Sequence, residues 1–197
     1  YASWSEAVWR YSNRPATAAQ GSYWSEVVSQ SKVLPGVGDS SVSYRVGDQS
    51  FYEAELSESE TLYLLGESHR VYGTGIEDLL LSALLEMMVS WTSWGGFVLG
   101  LEGHGRAYLE AGVDTSRTLG WFTNLYPVFL EKGIEISDMG DLIKSVKEQL
   151  RQIPDKGLGY GALGGHSNGL GDWQMELLFN YLGQLDQVVS TDGLLSV

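Results

Sequence analysis

An acid, an imidazole and a guanidinium lie within one short stretch of the sequence, at Glu102, His104 and Arg106. The glycines between them, Gly103 and Gly105, permit sharp turns of the backbone and leave the polar side chains accessible. At the end of a buried strand, this pattern would present a carboxylate to a cleft. The alternative is a simple strand-end turn in which Glu102 and Arg106 pair with each other.

A metal site is a less favoured interpretation of the same cluster. Glu102, His104 and His166 could converge on an ion, but the sequence has no helical histidine pair or other metal-ligand spacing to support one. We therefore expect no bound metal.

A second polar group interrupts the apolar stretch 176–184 at Asn180 and Tyr181. Buried amides and phenols usually bond to neighbouring backbone groups, and the functional alternative is donation to an oxyanion. Between the two polar groups, residues 116–130 are rich in aromatics, including Trp121. Aromatic side chains at that density are more often core than binding site.

Residues 159–164 match the pattern G-x-G-x-x-G, which occurs in dinucleotide-binding proteins. That fingerprint needs a strand before it and a helix directly after it, whereas here a predicted helix that ends at Pro154 precedes it. We therefore expect a close-packed loop, and an NAD-dependent oxidoreductase is the weakest of the functional hypotheses.

Helices and strands alternate along the chain, which predicts a mixed α/β fold. Helices are predicted in residues 1–30 as two short segments and at 57–65, 78–91 and 142–150. Strands are predicted at 41–46, 51–56, 97–103, 176–184 and 186–190. Residues 79–101 are apolar enough to imitate a membrane span, but Ser93, Gly95 and Gly96 predict a break between a helix and a strand.

The composition excludes several classes of function. Twelve basic and 25 acidic residues give a net charge of 12 − 25 = −13, which argues against binding to nucleic acid or to anionic membranes. The chain has no cysteine, which suits a reducing, cytoplasmic location.

The segments DLLLSAL, EGHGR, RTLGWFTNLYP, PDKGLGYG and FNYLGQ, taken in this order, resemble the motif series of epimerization domains of nonribosomal peptide synthetases. The resemblance spans roughly residues 76–186. The sister condensation domains are less similar, because EGHGR and the WFT-x-x-YP form are features of the epimerizing branch. The resemblance implies a chloramphenicol acetyltransferase-like fold with two α/β lobes around a tunnel.

Two departures from the family pattern bear on what the chain contains. The HHxxxDG motif, which supplies the family's active-site histidine, is absent, and Ala107 stands where a second acid is usual. Together with the missing initiator methionine, this predicts the downstream part of an epimerization domain, without its N-terminal lobe and its extreme C-terminus. Residues 1–35 would be the helical region that follows the histidine motif, and residues 36–197 the C-terminal lobe.

The resemblance also implies residue roles. Glu102 would be one acid/base on its face of the substrate α-carbon, and Asn180 and Tyr181 would stabilise an enolate oxygen or position a thioester. His104 and Arg106 would shape the turn at Glu102 and hold its charge state, and Trp121 would support the site.

The implied reaction converts a carrier-bound L-aminoacyl or peptidyl thioester to the D form. The substrate would arrive on the phosphopantetheine arm of a peptidyl carrier protein, with no cofactor bound directly, and the N-terminal lobe would be the second partner. By itself the chain is expected to be inactive. The alternative hypothesis is a non-catalytic module that docks a carrier protein or acts as a condensation-like gatekeeper.

Overall fold

The strand that ends near Glu102 lies at the centre of a small mixed sheet. A computed structural model describes residues 1–36, 45–67, 72–106, 109, 113–164 and 175–183. The described helices are α1 (Ala2–Ser12), α2 (Pro15–Ala18), α3 (Gly21–Ser29), α4 (Glu58–Leu65), α5 (Ile76–Thr92), α6 (Met139–Arg151) and α7 (Leu158–Ala162), with 3₁₀ turns at Val46–Asp48 and Pro154–Gly157. The described strands are β1 (Gly96–Gly103), β2 (Asn124–Glu131) and β3 (Leu178–Phe179).

The order of these strands in the sheet is β2-β1-β3. Strand β2 runs antiparallel to β1, with Gly103 opposite Asn124 at one end. Strand β3 runs parallel to β1, with Leu101 beside Phe179. Parallel and antiparallel pairs in one sheet, with helices packed on it, confirm the predicted mixed α/β class.

Side chains alternate between the two faces of β1, as in any strand. Phe97, Leu99 and Leu101 point toward the helices and are buried. They belong to one apolar cluster that also includes Trp24, Val28, Leu81, Leu85, Met88, Tyr126, Val128, Leu130, Leu142, Val146, Ile153 and Tyr160. Gly100 and Glu102 therefore lie on the opposite face of the sheet.

The predicted break in the apolar stretch 79–101 is confirmed. Helix α5 ends at Thr92, and Ser93 caps it in the left-handed conformation with φ 58°. The chain then enters β1 at Gly96. Among the described residues, no helix is both long and apolar enough to cross a membrane.

The helix predictions hold better than the strand predictions. The short N-terminal helices, the capped helix from Ser57 and the helix that ends before Pro154 are all confirmed. Residues 51–56 form no strand, because within the described chain nothing pairs with them, and Phe51 and Tyr52 are 77% and 97% exposed. The prediction at 41–46 falls mainly on 41–44, and the one at 186–190 entirely, outside the described residues.

Two other local predictions are also wrong. Of the stretch predicted at 176–184, the described residues 176–183 form a strand only at Leu178–Phe179, and Gly183 takes φ 81°, which is not an extended backbone. The expected loop at 159–164 begins as helix α7, which follows the 3₁₀ turn Pro154–Gly157 directly. That turn stands where a dinucleotide fingerprint would have its strand, so the glycine pattern lacks the setting that phosphate binding needs.

We expect Gly157→Ala to destabilise the fold by about 3 kcal/mol, because Gly157 has φ 81° and an added Cβ would overlap the ring of Tyr126. The measurement is urea unfolding of the domain that contains this chain. Gly161→Ala is the matched control, because a Cβ there meets nothing within 4 Å. Equal unfolding midpoints for the two variants would contradict the prediction.

Candidate functional site

The two polar groups singled out by the sequence meet at the end of β1. The Nδ2 atom of Asn180 donates a hydrogen bond of 2.8 Å to Oε2 of Glu102. The parallel register explains the contact. Leu101 lies beside Phe179, and the next residue in each segment, Glu102 and Asn180, lies on the same face of the sheet. Residues 78 positions apart in the sequence are thus brought together by the pairing of two strands.

The turn after Glu102 has the tight geometry that its glycines indicate. Gly105 takes φ 63°, and a Cβ at this position would overlap the carbonyl oxygen of Phe122. The backbone N–H of Arg106 donates to Nδ1 of His104 over 3.0 Å. The first contact packs the turn against the segment before β2, and the second closes the turn locally after the strand.

Arg106 does not pair with Glu102 in the described part of the chain. Its guanidinium donates a hydrogen bond to the carbonyl of Thr115 and lies over the ring of Phe122, with Cζ 4.1 Å from the ring centroid. The alternative of a simple Glu102–Arg106 pair is therefore wrong, since the arginine is held against the segment before β2. The expectation that Arg106 holds the charge of Glu102 has no ion pair among the described residues to support it.

The remaining two candidates, Tyr181 and Trp121, are sequence neighbours of residues that contact this turn. Tyr181 follows Asn180 directly and is half-buried. The side chain of Trp121 is 78% exposed, and its backbone carbonyl accepts a bond of 3.3 Å from the hydroxyl of Tyr1. Neither lines the cavity described next, and their roles stay predictions.

A cavity of about 810 Å³ lies beside the end of β1. Its wall includes Glu102, His104 and Arg106 from the turn. Tyr11 and Asp155 line it from other elements. Acidic, basic and phenolic groups therefore surround one space that is large enough for a small ligand.

Sequence analysis missed the polar cluster on the far wall of this cavity. The carboxylate of Asp155 accepts hydrogen bonds from the hydroxyl of Tyr11 over 2.6 Å and from Nε2 of Gln20 over 2.8 Å. Asp155 and Lys156 both have left-handed backbones, with φ 46° and 51°. The nearest sequence signal was the PDKG segment, which indicates a turn but names no partner for the aspartate.

Asn124 connects that cluster to the strand that carries Glu102. Its Nδ2 donates to the carbonyl of Lys156 over 3.3 Å, and its Oδ1 lies 2.5 Å from where a Cβ on Gly103 would be. Gly103 thus leaves room for this amide, which fills the gap between β1 and the turn Pro154–Gly157.

Metal ligation finds no support within the described residues. No group of three or more histidine, aspartate or glutamate side chains there is placed to hold an ion. His166, the third candidate ligand, lies outside the described residues, as does His69.

Comparison with known proteins establishes the family. The model of the family described as "Condensation domain" matches residues 1–194. The chain belongs to the condensation domain family.

Relatives of this condensation-family chain are large synthases. Surfactin synthase subunit 2 of Bacillus subtilis (strain 168) is 42% identical over 195 residues, which are 96% of this chain and 5% of the relative. Bacitracin synthase 3 of Bacillus licheniformis is 36% identical over 194 residues, which are 97% of this chain and 3% of the relative. The chain thus spans only a small part of the length of each of these synthases.

Solved structures confirm the resemblance predicted from the motifs. The epimerization domain from the third module of tyrocidine synthetase B matches with a TM-score of 0.65 and 31% identity, over 82% of this chain and 36% of that one. The first condensation domain of the CDA synthetase matches with a TM-score of 0.51 and 14% identity, over 79% and 32%, which shows the fold alone. The condensation-type domain therefore has the chloramphenicol acetyltransferase-like fold.

Two buried tyrosines tie the stability of this condensation-family site to alkaline pH. Burial, and then the hydrogen bond to Asp155, raises the pKa of Tyr11 to about 12, and burial raises the pKa of Tyr126 to about 12. The folded state holds both protons more tightly than the unfolded chain, whose tyrosines have the ordinary pKa of about 10. Their contribution to stability is therefore complete below pH 10 and is lost as the pH rises through about 12.

We expect Tyr11→Phe to make the free energy of unfolding fall less steeply between about pH 10 and 12. The measurement is urea unfolding of the domain at several pH values. Tyr52→Phe is the control, since this side chain is 97% exposed, and it should leave the slope of the wild type. A Tyr11→Phe slope equal to that of the wild type would contradict the prediction.

Proposed function

We propose that this chain is part of an epimerization domain, which converts a carrier-bound L-aminoacyl or peptidyl thioester to the D form. The observation that carries the proposal is the 2.8 Å hydrogen bond between Glu102 and Asn180. It joins the acid of the EGHGR segment to the amide of the FNYLGQ segment. The structural similarity to the tyrocidine synthetase B epimerization domain, at 31% identity, supports the same assignment.

The chemistry of inversion explains why a carboxylate and an amide would share the site. Inverting an amino acid requires removal of the proton on the α-carbon and return of a proton to the opposite face, with an enolate between the two steps. In the proposal, Glu102 transfers the proton on one face. Asn180 and Tyr181 donate hydrogen bonds to the enolate oxygen or hold the thioester.

The substrate in this proposal is presented on the phosphopantetheine arm of a peptidyl carrier protein. Attachment as a thioester makes the α-proton more acidic, and confinement beside Glu102 orients it. The acid/base on the other face, a histidine, would come from the N-terminal lobe of the same domain. Residues 36–197 would form the C-terminal lobe, and residues 1–35 the helical region that follows the histidine motif.

The His104 and Trp121 roles belong to the same proposal. His104 accepts the N–H of Arg106 and so would fix the turn that follows Glu102. Trp121 would support the site from the aromatic segment, where its exposed ring could contact a part of the domain or a carrier outside this chain.

A second candidate function is a non-catalytic module that docks a carrier protein or acts as a condensation-like gatekeeper. The match of residues 1–194 to the family model described as "Condensation domain" is compatible with such a module as well. The two functions differ in what Glu102 does, because docking of a carrier needs no acid/base at this position.

We expect Glu102→Gln in the complete domain to lower the rate of L-to-D conversion by at least about 100-fold, because glutamine cannot take up a proton. The measurement uses the carrier protein of the same module, loaded with the amino acid that the module activates, and chiral chromatography after release of the thioester.

Glu131→Gln is the matched control, because it removes the same charge at the far end of the neighbouring strand β2. It should keep the wild-type rate. If Glu102→Gln converts substrate as fast as the wild type, the acid/base role of Glu102 fails, and if the complete wild-type domain converts no substrate, the epimerase assignment fails. If the complete wild-type domain binds the carrier protein but converts no substrate, and Glu102→Gln binds the carrier equally well, the chain belongs to a docking module instead.

A further inference from the structure

Asp155 connects three parts of the fold at the cavity wall. Its Oδ2 accepts hydrogen bonds from Tyr11 of α1 over 2.6 Å and from Gln20, which precedes α3, over 2.8 Å. The side chain of Tyr11 is buried and that of Gln20 half-buried, so loss of the carboxylate would remove the acceptor that they share and leave only the longer 3.3 Å bond from Gln20 Nε2 to the Tyr11 hydroxyl between them. Asp155 therefore anchors the turn Pro154–Gly157 to the N-terminal helices.

The backbone of this turn requires such an anchor. Asp155, Lys156 and Gly157 are consecutive residues with φ of 46°, 51° and 81°. Residues other than glycine rarely adopt this left-handed region, although asparagine and aspartate do so more often than the rest. Such residues stay in it where surrounding contacts fix the backbone. Here the surroundings are the two bonds to Asp155 and the bond from Asn124 to the carbonyl of Lys156.

The fixed turn contacts β2 at two residues whose partners flank Glu102. Asn124 donates a hydrogen bond to the carbonyl of Lys156 and is the β2 partner of Gly103. Tyr126, whose ring lies against Gly157, is the β2 partner of Leu101. A shift of the turn would therefore displace β2 at both places. Glu102 lies between the two paired residues of β1.

We propose that Asp155 is a positioning residue for Glu102, which it holds in place through the turn Pro154–Gly157 and Asn124. This inference rests on the proposed function, because it assigns to Asp155 the placement of the proposed acid/base. Asp155 acts on the rate of proton transfer through the geometry of the strand end, and it does not contact the substrate carbon.

Asp155→Ala in the complete domain tests the proposal. We expect a fall of about 10-fold in kcat with KM for the loaded carrier within about twofold, since misplacing a reacting group affects the chemical step more than binding. With substrate deuterated at the α-carbon, we also expect a larger isotope effect on kcat, because a misplaced acid/base makes proton transfer more rate-limiting. A smaller fraction of folded protein would lower the rate without changing an isotope effect.

Two further variants refine the test. Asp155→Asn should keep kcat within about threefold of the wild type, because asparagine tolerates the left-handed region and its Oδ1 accepts the same bonds. Tyr11→Phe removes one donor and leaves the turn itself intact, so it should lower kcat and raise the isotope effect less than Asp155→Ala does. If Asp155→Ala fails to fold, the kcat and isotope effect of Tyr11→Phe test the positioning role instead.

Asp141→Ala is the matched control, because this exposed aspartate on α6 pairs with surface groups such as Lys144. It should leave kcat and the isotope effect unchanged. The positioning role is overturned if Asp155→Ala keeps the wild-type kcat, or if every folded variant has a lower kcat with an unchanged isotope effect. In either case Glu102→Gln would still lose conversion, so the proposed function would stand. Full conversion by Glu102→Gln overturns the acid/base role of Glu102 and the positioning role with it, whereas no conversion by the complete wild-type domain overturns the proposed function itself.

Discussion

The placement of β1 between β2 and β3 is the constraint on which the rest of the site depends. β1 is apolar on the face that meets the helices, so burial of Phe97, Leu99 and Leu101 fixes which way each side chain points. The same alternation turns Glu102 to the opposite face. A slip of one residue in the pairing would move the carboxylate into the core and an apolar side chain out of it.

The short parallel strand β3 has an importance beyond its length. Leu178 and Phe179 alone form the described pairing with β1, yet that pairing places Asn180 beside Glu102. A two-residue strand buries little by itself, and Leu178 remains 43% exposed. Its position is held by the Leu177 carbonyl, which accepts the N–H of Gly100 over 2.8 Å, and by Met175, whose side chain occupies the space that a Cβ on Gly100 would need.

Sequence patterns predicted the parts of this fold that are governed by local interactions. The capping box at Ser57 and Glu60 marked the start of α4, and the small residues after Thr92 marked the break before β1. Residues 51–56 alternate between apolar and polar types as a strand does. Alternation does not provide the partner strand that a sheet requires, and none pairs with these residues in the described chain. The same limit applies to Asp155, since its partners Tyr11 and Gln20 are 144 and 135 residues away in the sequence.

For the candidate site, the sequence indicated residue types but not the contacts between them. Motif order singled out Glu102 and Asn180 as members of one site, and the structure supplies the bond between them. The partners of Arg106 could not be anticipated, because a guanidinium beside a carboxylate in the sequence suggests an ion pair. Gly105 decides otherwise: its left-handed backbone folds the chain onto Phe122, which carries the guanidinium over that ring and toward Thr115. Among the described residues, Glu102 therefore has a neutral amide, and not a cation, as its hydrogen-bond partner. A carboxylate without a paired cation is the kind of group that the proposed proton transfer would use.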